Sequence, residues 1–158
     1  MKALRHVLAL VATLISLPVG AKTISGTASV IDGDTIEIHG QRIRLTAIDA
    51  VESRQRCLLP GGRQWNCGRD AAMALSHQIG RVPLTCSVSG TDRYGRYVAV
   101  CTLAGADIGA WMVEYGWAVA YRRYGTEYVP AEDRARRAGL GIWASEFEMP
   151  WDWRKAHR

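Results

Sequence analysis

The sequence of 158 residues contains no internal repeat, no low-complexity tract and no CxxC pair. The first two absences argue against stacked repeats and against a chain made mostly of disordered linker. The third removes the paired-cysteine knuckle that is typical of small zinc-binding domains. What is present is an ordinary globular composition, 48% apolar and 22% charged, on a length that suits one domain with one core.

Long apolar runs are also scarce, and the clearest one occupies residues 8–17. It is too short to span a bilayer. Because Lys2 and Arg5 precede it and the small residues 19–21 follow it, residues 1–21 are predicted to form a signal peptide, with a retained membrane anchor as the alternative. We therefore expect an exported protein, periplasmic or secreted, that has no stable membrane association after cleavage and is a monomer.

The charge balance is mildly basic. The formal net charge is +5, and it falls to +3 if residues 1–21 are removed, since that segment contains Lys2 and Arg5 but no acid. Such a charge is compatible with a polyanionic partner without identifying one.

The four cysteines are Cys57, Cys67, Cys86 and Cys101. An even number in a small exported domain favours two disulfides. Of the three possible pairings we prefer Cys57–Cys67, which brackets a loop rich in Gly and Pro, and Cys86–Cys101, which joins two strand-like runs. A four-cysteine zinc site is the rival interpretation, and the wide spacing between the cysteines argues against it.

Residue patterns predict an α+β domain, mainly β, over residues 22–146. Strands are expected at 24–31, 35–38, 41–48, 82–88 and 96–103, and helices at 68–79, at 108–116 and from Pro130 to Gly139. Five short strands with an interposed helix favour a closed five-stranded barrel of the oligonucleotide-binding (OB) type with three helices. Residues 147–158 are interpreted as a C-terminal tail.

Acidic residues lie at the ends of the first predicted strands. Asp34 leaves an Asp-Gly turn and Asp49 ends the third predicted strand, so the two carboxylates can converge on one cation such as calcium or magnesium. The plainer interpretation is a turn residue and a strand-end cap. Glu52 follows Asp49 just beyond the strand, where it is free either to activate a water or to remain a solvated surface acid.

Arginines and tyrosines supply the complementary groups. Arg44 sits among apolar residues in mid-strand, where an unpaired charge is prohibitive, so it must pair with a carboxylate or clamp a phosphate. Arg96 begins a strand after a polar turn that contains Tyr94, and it is the candidate for a second phosphate contact. Tyr121 opens a loop that interleaves aromatic and basic residues, a pattern compatible with nucleic-acid binding or with ordinary loop packing.

Four blocks of the sequence together resemble the staphylococcal nuclease (thermonuclease) family. In chain order they read VIDGDTIEI, RIRLTAIDAVES, TDRYGRYVAV, and the stretch from GWAVAYRRY to GLGIWAS. The resemblance covers nearly all of residues 26–145. It implies a five-stranded OB-type barrel with three helices and calcium-dependent hydrolysis of DNA and RNA that leaves 3′-phosphate ends.

The same resemblance implies roles for individual residues. Asp34 and Asp49 resemble the calcium ligands, to which Ala50 would add its backbone carbonyl. Arg44 and Arg96 resemble the two phosphate-binding catalytic arginines, and Glu52 resembles the acid that serves as the general base or orients it. Tyr94 and Tyr121 resemble tyrosines that contact the nucleotide.

The chain departs from the family pattern beside the glutamate. Ala50-Val51 stands where the family usually has Thr-Pro, so the loop that carries Glu52 lacks the rigidity of proline. The Cys57–Cys67 pair would lie in the loop that follows. Two other functions stay open on the sequence alone: a catalytically silent nucleic-acid-binding module, and an exported structural domain with no nucleic-acid role.

Overall fold

The computed structural model describes residues 22–157, so the predicted signal peptide lies outside the described residues. The strands, in chain order, are β1 Thr23–Gly26, β2 Ser29–Asp32, β3 Thr35–Ile38, β4 Gln41–Leu45, β5 Ile48–Ala50, β6 Cys57–Leu58, β7 Gln64–Trp65, β8 Leu84–Thr91, β9 Tyr97–Leu103, β10 Ala106–Asp107 and β11 Ala118–Ala120. The helices are α1 Cys67–Ile79, α2 Ile108–Glu114, α3 Val129–Ala138 and α4 Pro150–Ala156, with a 3-10 helix at Gly141–Ala144.

One curled sheet forms the frame of the domain. Its strand order is β1-β8-β9-β4-β3-β2, with β10 paired to β9. All its pairs are antiparallel except β4 with β9. Register shifts interrupt β2 at Val30/Asp32 and β8 at Val88/Gly90, and such bulges bend and twist a sheet. The predicted α+β class and OB-like barrel are thereby confirmed.

The strand predicted at 41–48 is in fact two strands. β4 ends at Leu45, and β5 leaves the main sheet to pair with β11. Ala47 between them has a left-handed φ of 56°, a conformation that a non-glycine residue rarely adopts. Backbone hydrogen bonds from Thr46 to Ala99 and from Tyr121 to Ala47 hold this break in place.

The helix boundaries follow local signals closely. The Asp107 carboxylate accepts hydrogen bonds from the amides of Gly109 and Ala110 at 2.8 and 3.2 Å, which caps α2. Pro130 lies in the first turn of α3, and Gly139 ends that helix with a φ of 63°.

The expectation of three helices and of a tail at 147–158 needs correction. The described residues form four α-helices, and the fourth, α4, lies inside the segment interpreted as a tail. Pro150 starts it with a pre-set φ and is buried, while Trp151 packs against the core. The segment folds because its tryptophans bury apolar surface. Within residues 22–157, none of the helices has both the length and the apolar character needed to cross a bilayer.

Both disulfides form with the predicted pairing. Cys57–Cys67 connects β6 to the first residue of α1, and Cys86–Cys101 joins directly opposed residues of β8 and β9. All four cysteines are buried in the core. The loop expected at 57–68 also contains the short β6–β7 hairpin, whose strands pair Cys57 with Trp65.

The Cys86–Cys101 bond should contribute substantially to stability. Replacing both cysteines by alanine should lower the free energy of unfolding by about 2–4 kcal/mol, since the bond closes a loop of sequence separation 15 and restricts the unfolded chain. Urea denaturation monitored by tryptophan fluorescence measures the change. An unaltered unfolding midpoint in the double variant would contradict this role.

Candidate functional site

Arg44 lies at the centre of a cluster of charges. In β4 the side chains of Ile43 and Leu45 face the core, so alternation sends Arg44 to the opposite face. There its Nη1 lies 2.9 Å from Asp34 Oδ2 and its Nη2 donates to Asp49 Oδ1 at 2.9 Å. Burial alone would lower the pKa of Arg44, but the two carboxylates outweigh burial and raise it.

Asp34 occupies the turn between β2 and β3 and is 6% exposed. Its Oδ1 accepts the Thr35 hydroxyl at 2.8 Å, and its Oδ2 accepts the amide of Ala50 at 3.4 Å. The turn sits tightly against β5, since a Cβ on Gly33 would lie 2.7 Å from that of Ala50. Contacts with Thr35 in β3 and Ala50 in β5 thus fix Asp34 in place.

Asp49, in β5, has no solvent exposure. Besides Arg44 it is bound by Arg154, whose Nη1 donates to Oδ1 at 3.0 Å and whose Nη2 donates to Oδ2 at 2.7 Å. Nη1 of Arg154 also donates to Glu52 Oε1 at 2.7 Å. Burial alone would lower the pKa of Arg154, but the bonds to Asp49 and Glu52 raise it.

Arg154 lies on α4, in the segment that sequence reasoning interpreted as a tail, and its position in the cluster was therefore not predicted. The sequence did contain a signal for a helix: Pro150, which is suited to the first turn, is followed by a mixture of aromatic and charged residues. No local rule connects that segment with acids about a hundred positions earlier in the chain.

Glu52 follows β5 on a loop that is braced from several sides. The amide of Glu52 donates to Gln55 Oε1 at 3.2 Å, and the amide of Gln55 donates back to the Glu52 carbonyl at 2.7 Å. The buried Gln55 side chain also donates to the carbonyl of Glu148 at 2.6 Å. Gly68 in α1 approaches so closely that a Cβ there would collide with the Glu52 carbonyl. These contacts hold the loop where proline is missing.

Arg96 joins the cluster indirectly. Its guanidinium forms a double contact with Asp92, at 2.8 Å from both Nε and Nη2, and Nη1 donates to Thr35 Oγ1 at 3.4 Å. Because Thr35 in turn bonds to Asp34, one chain of polar contacts runs from Arg96 to Glu52. Tyr94 is 67% exposed, and the Arg96 guanidinium lies 5.4 Å from its ring centre. Although burial opposes it, hydrogen bonds from Arg96 lower the pKa of Asp92.

A fourth acid, Asp32, stands beside the cluster. It accepts hydrogen bonds from the Gly33 amide at 2.8 Å and from the Ser53 hydroxyl at 2.9 Å. Burial raises its pKa to about 6, and the negative charges of Asp34 and Glu52 add to the shift. Sequence reasoning treated Asp32 as a turn residue only.

Tyr121 lies beside α4, where Trp151 covers it. Its ring stacks on Trp151 at 5.6 Å with an angle of 18° between the planes, and Tyr124 meets it edge-on at 5.2 Å. In the same loop Arg122 donates to the buried Glu132 at 2.6 Å. Arg122 therefore has a structural partner.

The carboxylate oxygens of the cluster suit a hard cation, provided that the arginines make room for it. Asp34 and Asp49 offer carboxylate oxygens from neighbouring strands, which calcium prefers, and calcium takes six to eight oxygens in all. Across residues 22–157 no set of three or more Asp, Glu, His or Cys side chains is grouped for a metal ion, so backbone carbonyls and water would have to complete the shell. The condition is that at least one guanidinium nitrogen gives up its place on Asp49.

The amino-acid sequence is similar to those of several known proteins. The family model for staphylococcal nuclease homologues matches residues 42–145. The succinoglycan biosynthesis protein ExoI of Rhizobium meliloti (strain 1021) is 42% identical, over 81% of this chain and 69% of that protein. The micrococcal nuclease of Shigella flexneri is 32% identical, over 99% of this chain and 94% of its own length. An uncharacterized endonuclease of Haemophilus influenzae is 28% identical, over 96% and 84% of the two chains.

The contact between Gly68 and the Glu52 loop can be tested by substitution. In an ordinary helix Gly→Ala stabilises by about 0.5–1 kcal/mol, but here Gly68→Ala should destabilise by about 1–3 kcal/mol, because the new Cβ would lie 1.7 Å from the Glu52 carbonyl oxygen. Urea denaturation gives the sign directly. Gly90→Ala is the control, since a Cβ at that position meets nothing within 4 Å and should change stability by less than about 0.5 kcal/mol. A stabilised Gly68→Ala variant would show that the loop is not clamped.

Proposed function

The chain belongs to the staphylococcal nuclease family and is a phosphodiester-hydrolysing nuclease, and we propose that it is an exported, calcium-dependent enzyme that cleaves both DNA and RNA. One observation carries the proposal: an unbroken series of hydrogen bonds and ion pairs links the candidate phosphate-binding arginines, metal acids and general base. In order it runs through Arg96, Thr35, Asp34, Arg44, Asp49, Arg154 and Glu52.

Glu52 is the candidate that moves the proton. Its side chain is 26% exposed, so water reaches it at the edge of a cluster whose other acids are buried. Its loop is held by Gln55 and Gly68, which keeps the carboxylate in one place. In the proposed reaction Glu52 accepts a proton from a water molecule as the water oxygen attacks phosphorus and the bond to the 5′ oxygen breaks. The departing 5′ oxygen takes up a proton from solvent, so the products are a 3′-phosphate and a 5′-hydroxyl.

Arg44 and Arg96 are the candidates that bind the phosphate. As the water attacks, negative charge accumulates on the phosphoryl oxygens, and guanidinium forks aimed at those oxygens stabilise it. Asp34 and Asp49 fix the orientation of Arg44, and Asp92 fixes that of Arg96. Holding the forks in place beforehand avoids paying for their reorganisation during the reaction.

Asp34, Asp49 and the backbone carbonyl of Ala50 are the proposed holders of calcium. When bound, calcium would polarise the phosphoryl oxygen as a Lewis acid. The buried carboxylates supply the hard oxygen ligands that this ion prefers.

Tyr94 and Tyr121 are proposed to contact the nucleotide. Tyr94 is largely exposed beside Arg96, where a ring can pack against sugar or base next to a bound phosphate. The Tyr121 ring stacks on the Trp151 indole, and a nucleotide base could take the place of that indole. DNA and RNA present the same phosphodiester and flat bases to such groups.

Export is proposed from the two disulfides and from the signal-like residues 1–21. Two buried disulfides suit an oxidising compartment such as a periplasm or the extracellular space. Residues 1–21 are the proposed signal peptide, and the nuclease domain expected at 22–146 is proposed to extend through α4, which packs on it. The mature protein is proposed to act as a monomer. A catalytically silent binding module is the alternative. It is disfavoured because Arg44, Glu52 and Arg96 are all retained.

The proposed base and phosphate clamp give a direct test. Glu52→Gln and Arg44→Lys should each lower kcat on single-stranded DNA by about 10²–10³, since each removes one positioned group while keeping most of the packing. Arg134→Ala is the control. Arg134 lies on α3, is exposed, and lies 3.8 Å from Glu114, so its loss should change kcat by less than about twofold. Equal cleavage by wild type, Glu52→Gln and Arg44→Lys would refute the site assignment.

The calcium assignment is tested with the same assay. Cleavage should stop when a chelator removes calcium and return when calcium is restored. Asp34→Asn should raise the calcium concentration required for half-maximal rate by about tenfold or more, because one charged ligand oxygen becomes neutral. Asp152→Asn, at an exposed acid on α4, should leave that concentration unchanged. Turnover that persists in chelator would rule out calcium dependence.

A further inference from the structure

Helix α4 covers the two parts of the cluster that a ligand would need. Arg154 on its inner side binds both Asp49 and Glu52, and Trp151, one turn earlier, stacks on Tyr121. One short helix therefore contacts a proposed metal ligand, the proposed general base and a proposed nucleotide-stacking ring. The function proposed above gives α4 itself no part in binding or catalysis.

Asp49 is already surrounded by cationic groups. Its Oδ1 accepts from Arg44 Nη2 at 2.9 Å and from Arg154 Nη1 at 3.0 Å, while Oδ2 accepts from Arg154 Nη2 at 2.7 Å, which occupies three of about four lone-pair sites. The side chain has no solvent exposure. Because the carboxylate is buried against two guanidinium groups, we expect a cation to reach it only after one of the two arginines moves.

Arg154 is the less enclosed of the two arginines. Arg44 is 16% exposed and lies on a strand in the interior of the sheet, between β3 and β9. Arg154 is 31% exposed and belongs to a seven-residue helix of which only Pro150 is buried. Displacement of Arg154 together with α4 would leave the strand pairing of the sheet intact.

The charges favour such an exchange. Asp34, Asp49 and Glu52 carry three negative charges, against which Arg44 and Arg154 set two positive ones. Withdrawal of Arg154 leaves Glu52 without its partner and Arg44 alone against Asp34 and Asp49, so the net negative charge grows and favours a divalent cation. The guanidinium and the ion are thus alternative ways of neutralising the same acids.

We propose that Arg154 is an internal cation that closes the site, and that α4 lifts, withdrawing Arg154 from Asp49 and Trp151 from Tyr121, when calcium and a nucleotide bind. The proposal rests on the proposed function, because it takes the metal and stacking roles of those residues from it. In this state of the protein the helix places an arginine where the ion would bind and an indole where a base would stack.

Calcium affinity provides the first readout and needs no turnover. Calorimetric titration of the full-length protein with calcium alone should show that Arg154→Gln binds calcium at least about tenfold more tightly than wild type, equivalent to about 1.4 kcal/mol. Lys155→Ala is the matched control, because it removes one positive charge from the same helix at an exposed side chain that bonds only to Asp152 among its described contacts. It should bind calcium as wild type does. Circular dichroism confirms that each variant is folded.

Movement of the helix provides the second readout. In wild type, amide hydrogen exchange in residues 150–156 should become at least about tenfold faster when calcium and a short single-stranded oligonucleotide are added. Exchange in α2, away from the cluster, should not change. Trp151→Ala should strengthen oligonucleotide binding in the presence of calcium, because Tyr121 no longer has to give up an internal partner.

The outcomes separate this proposal from the proposed function. Equal or weaker calcium binding by Arg154→Gln would overturn it and would make Arg154 a supporting residue of the metal site. Unchanged exchange in α4 on ligand binding would overturn it as well. Tighter calcium binding by Arg154→Gln together with faster exchange in wild type would support it even if no variant cleaved DNA, a result that would count against the enzymatic activity alone.

Discussion

The pairing of the fully buried Asp49 with two arginines is the interaction on which the rest of the site depends. A carboxylate removed from water costs several kcal/mol unless it is compensated, and breaking a buried pair by removing one partner is strongly destabilising. Asp49 therefore requires that an arginine stand in the middle of β4 and that a second come from α4. The orientation of Arg44 towards the acids and the docking of α4 both follow from this requirement.

Compensation then spreads outward from Asp49. Arg44 neutralises Asp34 as well, the Thr35 hydroxyl connects Asp34 to Arg96, and Asp92 neutralises Arg96. Each of these charged side chains therefore has at least one oppositely charged partner in a region of low exposure. The groups proposed for catalysis are for that reason also counter-ions of one another. Their geometry is set by the stability of the fold before any substrate arrives.

Much of this could be predicted from the sequence because the signals were local. The Asp-Gly turn before Asp34, the mid-strand Arg44 that required a partner, the helix predicted at 108–116 and the disulfide pairing all depend on residues close in the chain or on simple counting. The break at Ala47 could not be predicted, since alanine gives no sign of a left-handed φ and tertiary hydrogen bonds impose it. The place of Arg154 was missed because its partner Asp49 is 105 positions away, beyond the reach of any spacing rule.

That separation also bears on the order in which the molecule assembles. The contacts of Arg44 with Asp34 and Asp49 and of Asp34 with Ala50 span at most 16 positions and close small loops. The contacts of Arg154 with Asp49 and Glu52 span 105 and 102. Loop closure costs more entropy as the loop lengthens. The barrel can therefore form around the Arg44 pairs first, with α4 docking as a late step. Until α4 docks, Asp49 is neutralised by Arg44 alone.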